Sequence, residues 1–227
     1  LHQTLRGHGE AGLTYLSGQY LADLLVWYHL VWTGESVRRS NETVARLMAQ
    51  GVGFSHADRF ELFNLIGELI QGLIPRYRKL AESGQIELSS TPHCHPLSPL
   101  LLDFSSARDS LPDVVLPAEA VYPGGRGRVE HHLTSALESH ERRFGIRPTG
   151  MWPAEGGVSL PLLEILAQHG CQWSASGESV LVNSLRKSHP DTPPPARGRY
   201  LYRPYRVQGK ADGVICFFRD DKLSDMI

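Results

Sequence analysis

The chain has 227 residues, 41% hydrophobic and 21% charged, with 23 Lys+Arg against 24 Asp+Glu. That balance is globular and excludes disorder, collagen and coiled coil, and the near-zero net charge offers no field to nucleic acid or an anionic membrane. No run approaches the ~18 apolar residues that a bilayer span needs. Cys94, Cys171 and Cys216 are odd in number and fall in no C-x-x-C spacing, which argues against a disulfide scaffold and a thiolate zinc site.

Leu16 to Trp32 reads as a helix, with Leu21, Leu24, Leu25, Tyr28 and Val31 or Trp32 recurring every three or four residues. Trp27 and Trp32 are read as packing in a helical core. Glu35 to Gln50 is amphipathic and stops at Gly51. Ser55 followed by Asp58 resembles a capping box. It opens a long helix to about Ser83, with Phe60, Leu62, Phe63, Ile66, Leu69, Ile70 and Leu73 on its apolar side. Pro75 is expected to kink or divide that helix.

After Gly84 the period changes. Gln85 to Ser90 reads as a short strand, and residues 96 to 126 as a long connection with a short helix near Leu100. Val129, Leu133, Ala136, Leu137 and Phe144 mark a helix that ends at Gly145. Strands are expected at Thr149–Trp152, Cys171–Ala175, Tyr200–Tyr205 and Gly213–Phe218, with helices at Leu160–His169 and Glu178–Leu185. Residues 187–198 hold four of the fifteen prolines and read as a surface loop. The alternation implies an α/β fold of parallel strands with helical crossovers.

In such a sheet, working residues sit just beyond the carboxyl ends of strands. Trp152-Pro153-Ala154-Glu155-Gly156-Gly157 sets a carboxylate beside an indole at one strand end, with glycines that let backbone approach a ligand. Pyranose faces stack on indole, so a sugar fits there; the alternative is a solvated loop Glu with a core Trp. Arg219-Asp220-Asp221 closes the last strand and reads either as a site or as a solvated turn. Together the two places supply the paired carboxylates of glycoside hydrolysis. Glu178 follows the strand that carries Trp173; that acid could line the same cleft or start a solvated helix, and Trp173 is a further candidate for substrate contact. In Thr91-Pro92-His93-Cys94-His95-Pro96, an extended backbone would put His93 and His95 on one face. They could contact sugar hydroxyls, bind a metal with a carboxylate, or be structural only. His131-His132 lies on a helix, where adjacent side chains diverge, and reads as no chelating pair.

These motifs resemble glycoside hydrolase family 57. Gly84-Gln85-Ile86-Glu87-Leu88 with His95-Pro96-Leu97-Ser98-Pro99-Leu100-Leu101 resembles its second motif. Gly150-Met151-Trp152-Pro153-Ala154-Glu155-Gly156 resembles the third. Phe217-Phe218-Arg219-Asp220 with Leu223-Ser224-Asp225-Met226-Ile227 resembles the fourth. Asp23 to Tyr28 and Leu30 to Trp32 resemble the helical stretch ahead of the second motif in the amylase-like branch. His2-Gln3-Thr4 departs from the first motif, which is read as absent, as is the fifth.

The resemblance implies a partial (β/α)7-type barrel. Residues 1–84 are expected to be a helical segment packed on it, and residues 85–227 the partial barrel with the catalytic carboxylates. It implies a retaining hydrolase or transglycosylase acting on an α-1,4-glucan or maltooligosaccharide, with no metal and no cofactor. Glu155 falls on the family nucleophile and Asp220 on the acid/base, with Asp221 as the alternative. Trp152, His95 and Glu178 fall on cleft positions; His93, Trp173, Arg219 and Asp221 complete the expected substrate contacts. A nucleic-acid or membrane partner is not expected. The cysteine usage fits a reducing, cytoplasmic compartment. Two rivals are a metal-dependent carbohydrate deacetylase using His93, His95 and an Asp, and a non-catalytic α-glucan-binding module. With two motifs missing, this stretch is expected to be an incomplete catalytic domain, weakly active or inactive alone.

Overall fold

A computed structural model describes residues 2–119, 121–207 and 213–226; Ile227, the end of the fourth-motif resemblance, lies outside them. The chain divides into two compact units, Leu1–Pro75 and Arg76–Ile227.

The first unit is helical. It contains α1 (His2–His8), α2 (Gly18–Trp32), α3 (Glu35–Ser40) and α4 (Glu42–Gln50), and α5 (His56–Glu82) begins in it. The single helix expected over 35–50 is broken at Asn41, whose side chain accepts from Val44 N at 3.1 Å and so starts α4 afresh. The capping box is present: Ser55 N donates to Asp58 at 2.9 Å and Asp58 N to Ser55 Oγ at 3.1 Å. Helix α5 continues through Pro75 for 27 residues and is not divided there. Between α4 and α5, Gly51 and Gly53 take φ of 77° and 75°. Asp23 holds that turn by accepting from Gly53 N at 3.0 Å and Phe54 N at 2.9 Å.

The core of this unit is Val26 and Leu30 of α2, Val44 and Leu47 of α4, Phe54, and Leu62 of α5. Helix α2 therefore buries the face of Ala22, Val26 and Leu30, and the stripe read from the sequence is the other one. Leu21, Leu24, Leu25, Tyr28 and Val31 are exposed, and Trp32 is 75% exposed rather than in the core. A helix apolar on most sides satisfies the 3.6 period in several phases, and only its packing partners choose one. Trp27 does pack against the core, and its indole N–H donates to Gly51 O. On α5, likewise, Leu62 is buried while Phe60, Phe63, Leu69, Ile70 and Leu73 are exposed.

The second unit holds a four-stranded sheet of β1 (Gly150–Met151), β2 (Trp173–Gly177), β3 (Tyr205–Arg206) and β4 (Ile215–Arg219), in the order β1-β2-β4-β3. Strands β1, β2 and β4 are parallel, while β3 pairs antiparallel at the edge. The expected all-parallel sheet is corrected there. The strand expected over 200–205 shrinks to two residues after Pro204, which has no N–H to give a ladder. The strand expected at 85–90 is reduced to one parallel bridge, with Ser90 N donating to Gly150 O at 3.1 Å and Trp152 N to Ser90 O at 2.7 Å.

Around the sheet lie α6 (Ser98–Leu102), α7 (Ala107–Ser110), α8 (Gly125–Phe144), α9 (Leu160–Gln168), α10 (Glu178–Ser188), α11 (Arg197–Tyr200) and α12 (Asp221–Ser224). Val129, Leu133 and Leu137 of α8 and Leu162, Ile165 and Leu166 of α9 pack with Met151, Cys171, Val214 and Cys216. Gly145, at φ 77°, ends α8 as the sequence requires.

At the amino edge of the sheet, Trp173 donates its indole N–H to Glu87 at 2.7 Å and covers Gly150. A Cβ on Gly150 would stand 2.0 Å from that ring. Gly150→Ala is therefore expected to lower stability by about 1–3 kcal/mol through overpacking. Urea denaturation followed by far-UV circular dichroism measures it.

Candidate active site

Three parallel strands deliver their carboxyl ends to one edge of the sheet, where ligands bind in α/β folds. After β1 the chain turns sharply, and Glu155 sits in the left-handed region at φ 54°, ψ 19°. Such a backbone costs about 1–3 kcal/mol for a residue other than glycine and persists only where its surroundings fix it. Here Gly156 N donates to Pro153 O at 3.0 Å, Gly157 N to Ala154 O at 3.0 Å, and Ser176 Oγ of β2 to Gly156 O at 2.6 Å. The Glu155 carboxylate meets His95 Nε2 at 3.1 Å.

His95 belongs to a second strained turn. Cys94 and His95 have φ of 61° and 52°, and with Glu155 they are the non-glycine residues of positive φ among the described residues. His95 N donates to Pro92 O at 3.2 Å, and His93 N to His132 O of α8 at 3.0 Å, which fastens this turn to the helix. The His95 and Glu155 side chains are 60% and 74% exposed, so their contact orients more than it stabilises.

Glu155 opens onto a cleft of about 530 Å³, shared with Trp152, His95, Val180, Arg219 and Asp221. Arg219 Nε donates to Asp221 at 2.9 Å. Both Asp221 carboxyl oxygens would lie 3.4 Å from a Cβ on Gly177, so the bare glycine gives the carboxylate its room.

Asp220 is held elsewhere. It caps α12 by accepting from Leu223 N at 3.1 Å, and it takes two N–H groups of Arg197 and the hydroxyl of Tyr202. The same guanidinium forks onto Glu178, which also accepts from Tyr200 OH at 3.2 Å. The side chains of Asp220 and Glu178 are only 9% and 14% exposed. Arg197, and after it Tyr202, holds the Asp220 carboxyl far below the usual carboxylate range. Arg197 also lowers the Glu178 carboxyl, opposed by burial. The Tyr202 hydroxyl is pushed up chiefly by its bond to Asp220.

The model of glycosyl hydrolase family 57 matches residues 16–227. The chain belongs to glycosyl hydrolase family 57. No curated protein matches it in sequence at a significant level. A family 57-type branching enzyme of the archaeon Pyrococcus horikoshii superposes with a TM-score of 0.50 at 14% identity, over 90% of this chain and 34% of that one. An α-amylase of Thermotoga maritima gives 0.49 at 16% identity, over 88% of this chain and 31% of that one. This family 57 chain thus spans about a third of the length of these two proteins, and its fold is a partial β/α barrel like that of the branching enzyme.

The cleft of this family 57 chain gathers His95, Trp152, Glu155, Arg219 and Asp221 of the residues singled out from the sequence. Asp220 and Glu178 are instead gathered by Arg197, just beside it. His93 lines a neighbouring groove of about 520 Å³ with Cys94. Trp173 stands at the opposite end of its strand, bound to Glu87, which Thr149 and then Trp173 hold below the carboxylate range. A metal held by His93, His95 and an Asp, as a deacetylase would need, has no counterpart among the described residues. The group able to hold an ion there is His93, Cys94 and His132. Arg197 falls in the segment that reads as a surface loop, and Tyr200 and Tyr202 in the one that reads as a strand, so none stands out as a site residue; the signal for them is the Arg-x-Arg-Tyr-x-Tyr cluster.

A carboxyl whose pKa is depressed in the fold adds stability above its unfolded pKa, ~3.9 for Asp and ~4.3 for Glu, and loses it as pH falls through the folded value. The Arg197 cluster should therefore stay intact at pH 5 and weaken below about pH 4. In Arg197→Ala the Asp220 titration should move up toward the ordinary Asp range. Carboxyl carbon NMR across an acid titration reads that movement directly, and an unmoved midpoint would contradict the account.

Proposed function

We propose that this protein is a retaining glycosidase or transglycosylase of α-1,4-glucans, with Glu155 as its nucleophile. The observation that carries the reading is the strained turn at Glu155, which projects a carboxylate into a cleft beside Trp152 while His95 fixes its direction. Membership of family 57 and the likeness to the Pyrococcus horikoshii branching enzyme support an α-glucan as the substrate class. An indole at the cleft wall suits stacking against a sugar face.

In this reading Glu155 attacks the anomeric carbon and forms a glycosyl–enzyme bond as the glycosidic oxygen leaves with a proton. The acid that gives the proton then takes one from water or from another sugar hydroxyl. Its source is the Asp220–Asp221 pair. The family resemblance favours Asp220, but a carboxylate gripped by Arg197 is kept ionised and must be released before it can donate. The open position of Asp221 in the cleft favours Asp221 as the second reading.

Two substrates separate the roles in the protein as its gene encodes it. Glu155→Gln should abolish turnover of both maltooligosaccharides and a dinitrophenyl α-glucoside, since the bond-forming atom is gone. Replacing the true acid, by Asp220→Asn or Asp221→Asn, should cost ~10²–10⁴-fold on maltooligosaccharides. It should leave formation of the glycosyl–enzyme from the dinitrophenyl glucoside nearly intact, because that leaving group needs no proton. Wild-type rates in Glu155→Gln would overturn the assignment. Chromatography of the maltooligosaccharide products then tells hydrolysis, which yields only shorter chains, from transfer, which also yields longer or branched ones.

A further inference from the structure

The 91–96 turn does more than present His95. Its other two reactive side chains, His93 and Cys94, face α8 at the level of His132. One ligand atom from each of the three lies within 4.8 Å of the others. The turn and the helix are already tied at this level by the bond from His93 N to His132 O, 3.0 Å long. The His93 and His132 rings stack at 6.4 Å and 20°, and Cys94 Sγ lies 3.1 Å from His93 Nδ1. His132 Nδ1 is buried without a hydrogen-bond partner, so that nitrogen is not committed to any protein group.

We propose that His93, Cys94 and His132 form a binding site for a borderline-soft divalent ion, of which zinc is the type, that clamps the 91–96 turn to α8. One thiolate with two imidazoles is a donor set that selects zinc or copper over magnesium or calcium. A tetrahedral ion with bonds of ~2.0–2.3 Å sets its ligand atoms roughly 3.3–3.7 Å apart. The observed spread closes to that by about an ångström of side-chain rotation, and His93 and Cys94 are exposed and able to rotate. On binding, the Cys94 thiol loses its proton to solvent, a sulfur–metal bond forms, and the two neutral imidazoles each supply one nitrogen. Water takes the fourth position from the open groove that His93 and Cys94 line. The left-handed backbone at Cys94 is then held from both sides, by the His95 N–H bond to Pro92 and by the metal. The site does not depend on the glycosidase reading and supplies no step of it.

The test uses metal-free protein and zinc or cobalt(II) salts, with no sugar present. Zinc titrated against a chromophoric chelator should bind with one equivalent per chain and raise the thermal midpoint. The cobalt(II) form should show a thiolate-to-metal absorption band in the near ultraviolet. Cys94→Ser, a change at an exposed side chain, should keep the far-UV circular dichroism, lose that band, and weaken zinc at least about tenfold. His132→Gln should weaken it similarly, and His189→Gln, outside the cluster, should not. Absence of binding in the unsubstituted protein overturns the proposal, as does zinc affinity unchanged by Cys94→Ser.

Discussion

The hydroxyl of Ser176 reaching across to the carbonyl of Gly156 is the contact on which the site turns. A left-handed glutamate is a high-energy backbone state, and the local turn bonds from Gly156 N to Pro153 O and from Gly157 N to Ala154 O hold Glu155 in it only together with contacts from outside the turn. The outside contact comes from the neighbouring strand, whose small residues let the turn come close. Ser174 binds Met151 O at 3.0 Å and Ser176 binds Gly156 O, so β2 grips both ends of the Trp152–Glu155 segment. A Cβ on Gly156 would lie 3.5 Å from the Ser176 backbone, in a conformation that favours glycine in any case. The parallel register of β1 and β2 is thus converted, through two serine hydroxyls, into the direction of one carboxylate.

The same strand ends sort two adjacent aspartates into opposite environments. Asp220 and Asp221 differ by one position, so their side chains leave the backbone in different directions. One is used as a helix cap and meets a guanidinium and a phenol. The other meets Arg219 and the open cleft. Sharing of Arg197 between Asp220 and Glu178 keeps both carboxylates charged at a place where two bare negative charges would repel. The proline-rich segment thereby serves the sheet by leading into α11, whose first residue, Arg197, brings a cation to a pair of acids.

Much of this was legible in the chain. The 3.6 period of Val129, Leu133, Ala136 and Leu137 and the stop at Gly145 fix α8, because a half-buried helix with a polar far side has one solution. Ser55 and Asp58 announce a helix start through side-chain chemistry alone. The strand-end rule points to Glu155, Glu178, Arg219, Asp220 and Asp221, of which Glu155, Arg219 and Asp221 share one cleft while Glu178 and Asp220 meet on Arg197. Other features had no local signal. Helix α2 is apolar on too many sides for its sequence to say which face packs. The pairing of β3 antiparallel to β4 follows from where the chain returns, which no window of residues contains. Arg197 looked like a loop cation because its partners, Glu178 and Asp220, lie 19 and 23 positions away. His132 reads in the sequence as one half of a divergent pair, and its relevant neighbours lie across space on the 91–96 turn.

The three thiols are sorted by depth in a way that makes the second unit self-reporting. Cys171 and Cys216 sit in the core between α9 and the sheet, and burial pushes both up to about 11. Cys94 stands on the surface. In metal-free protein at neutral pH an alkylating reagent meets the surface thiol at once and the other two only when the sheet opens. Incorporation of the first label then marks access to the turn, and the slow arrival of the next two times the opening of the core. The chain carries its own clock for conformational breathing, with no substitution required to install it.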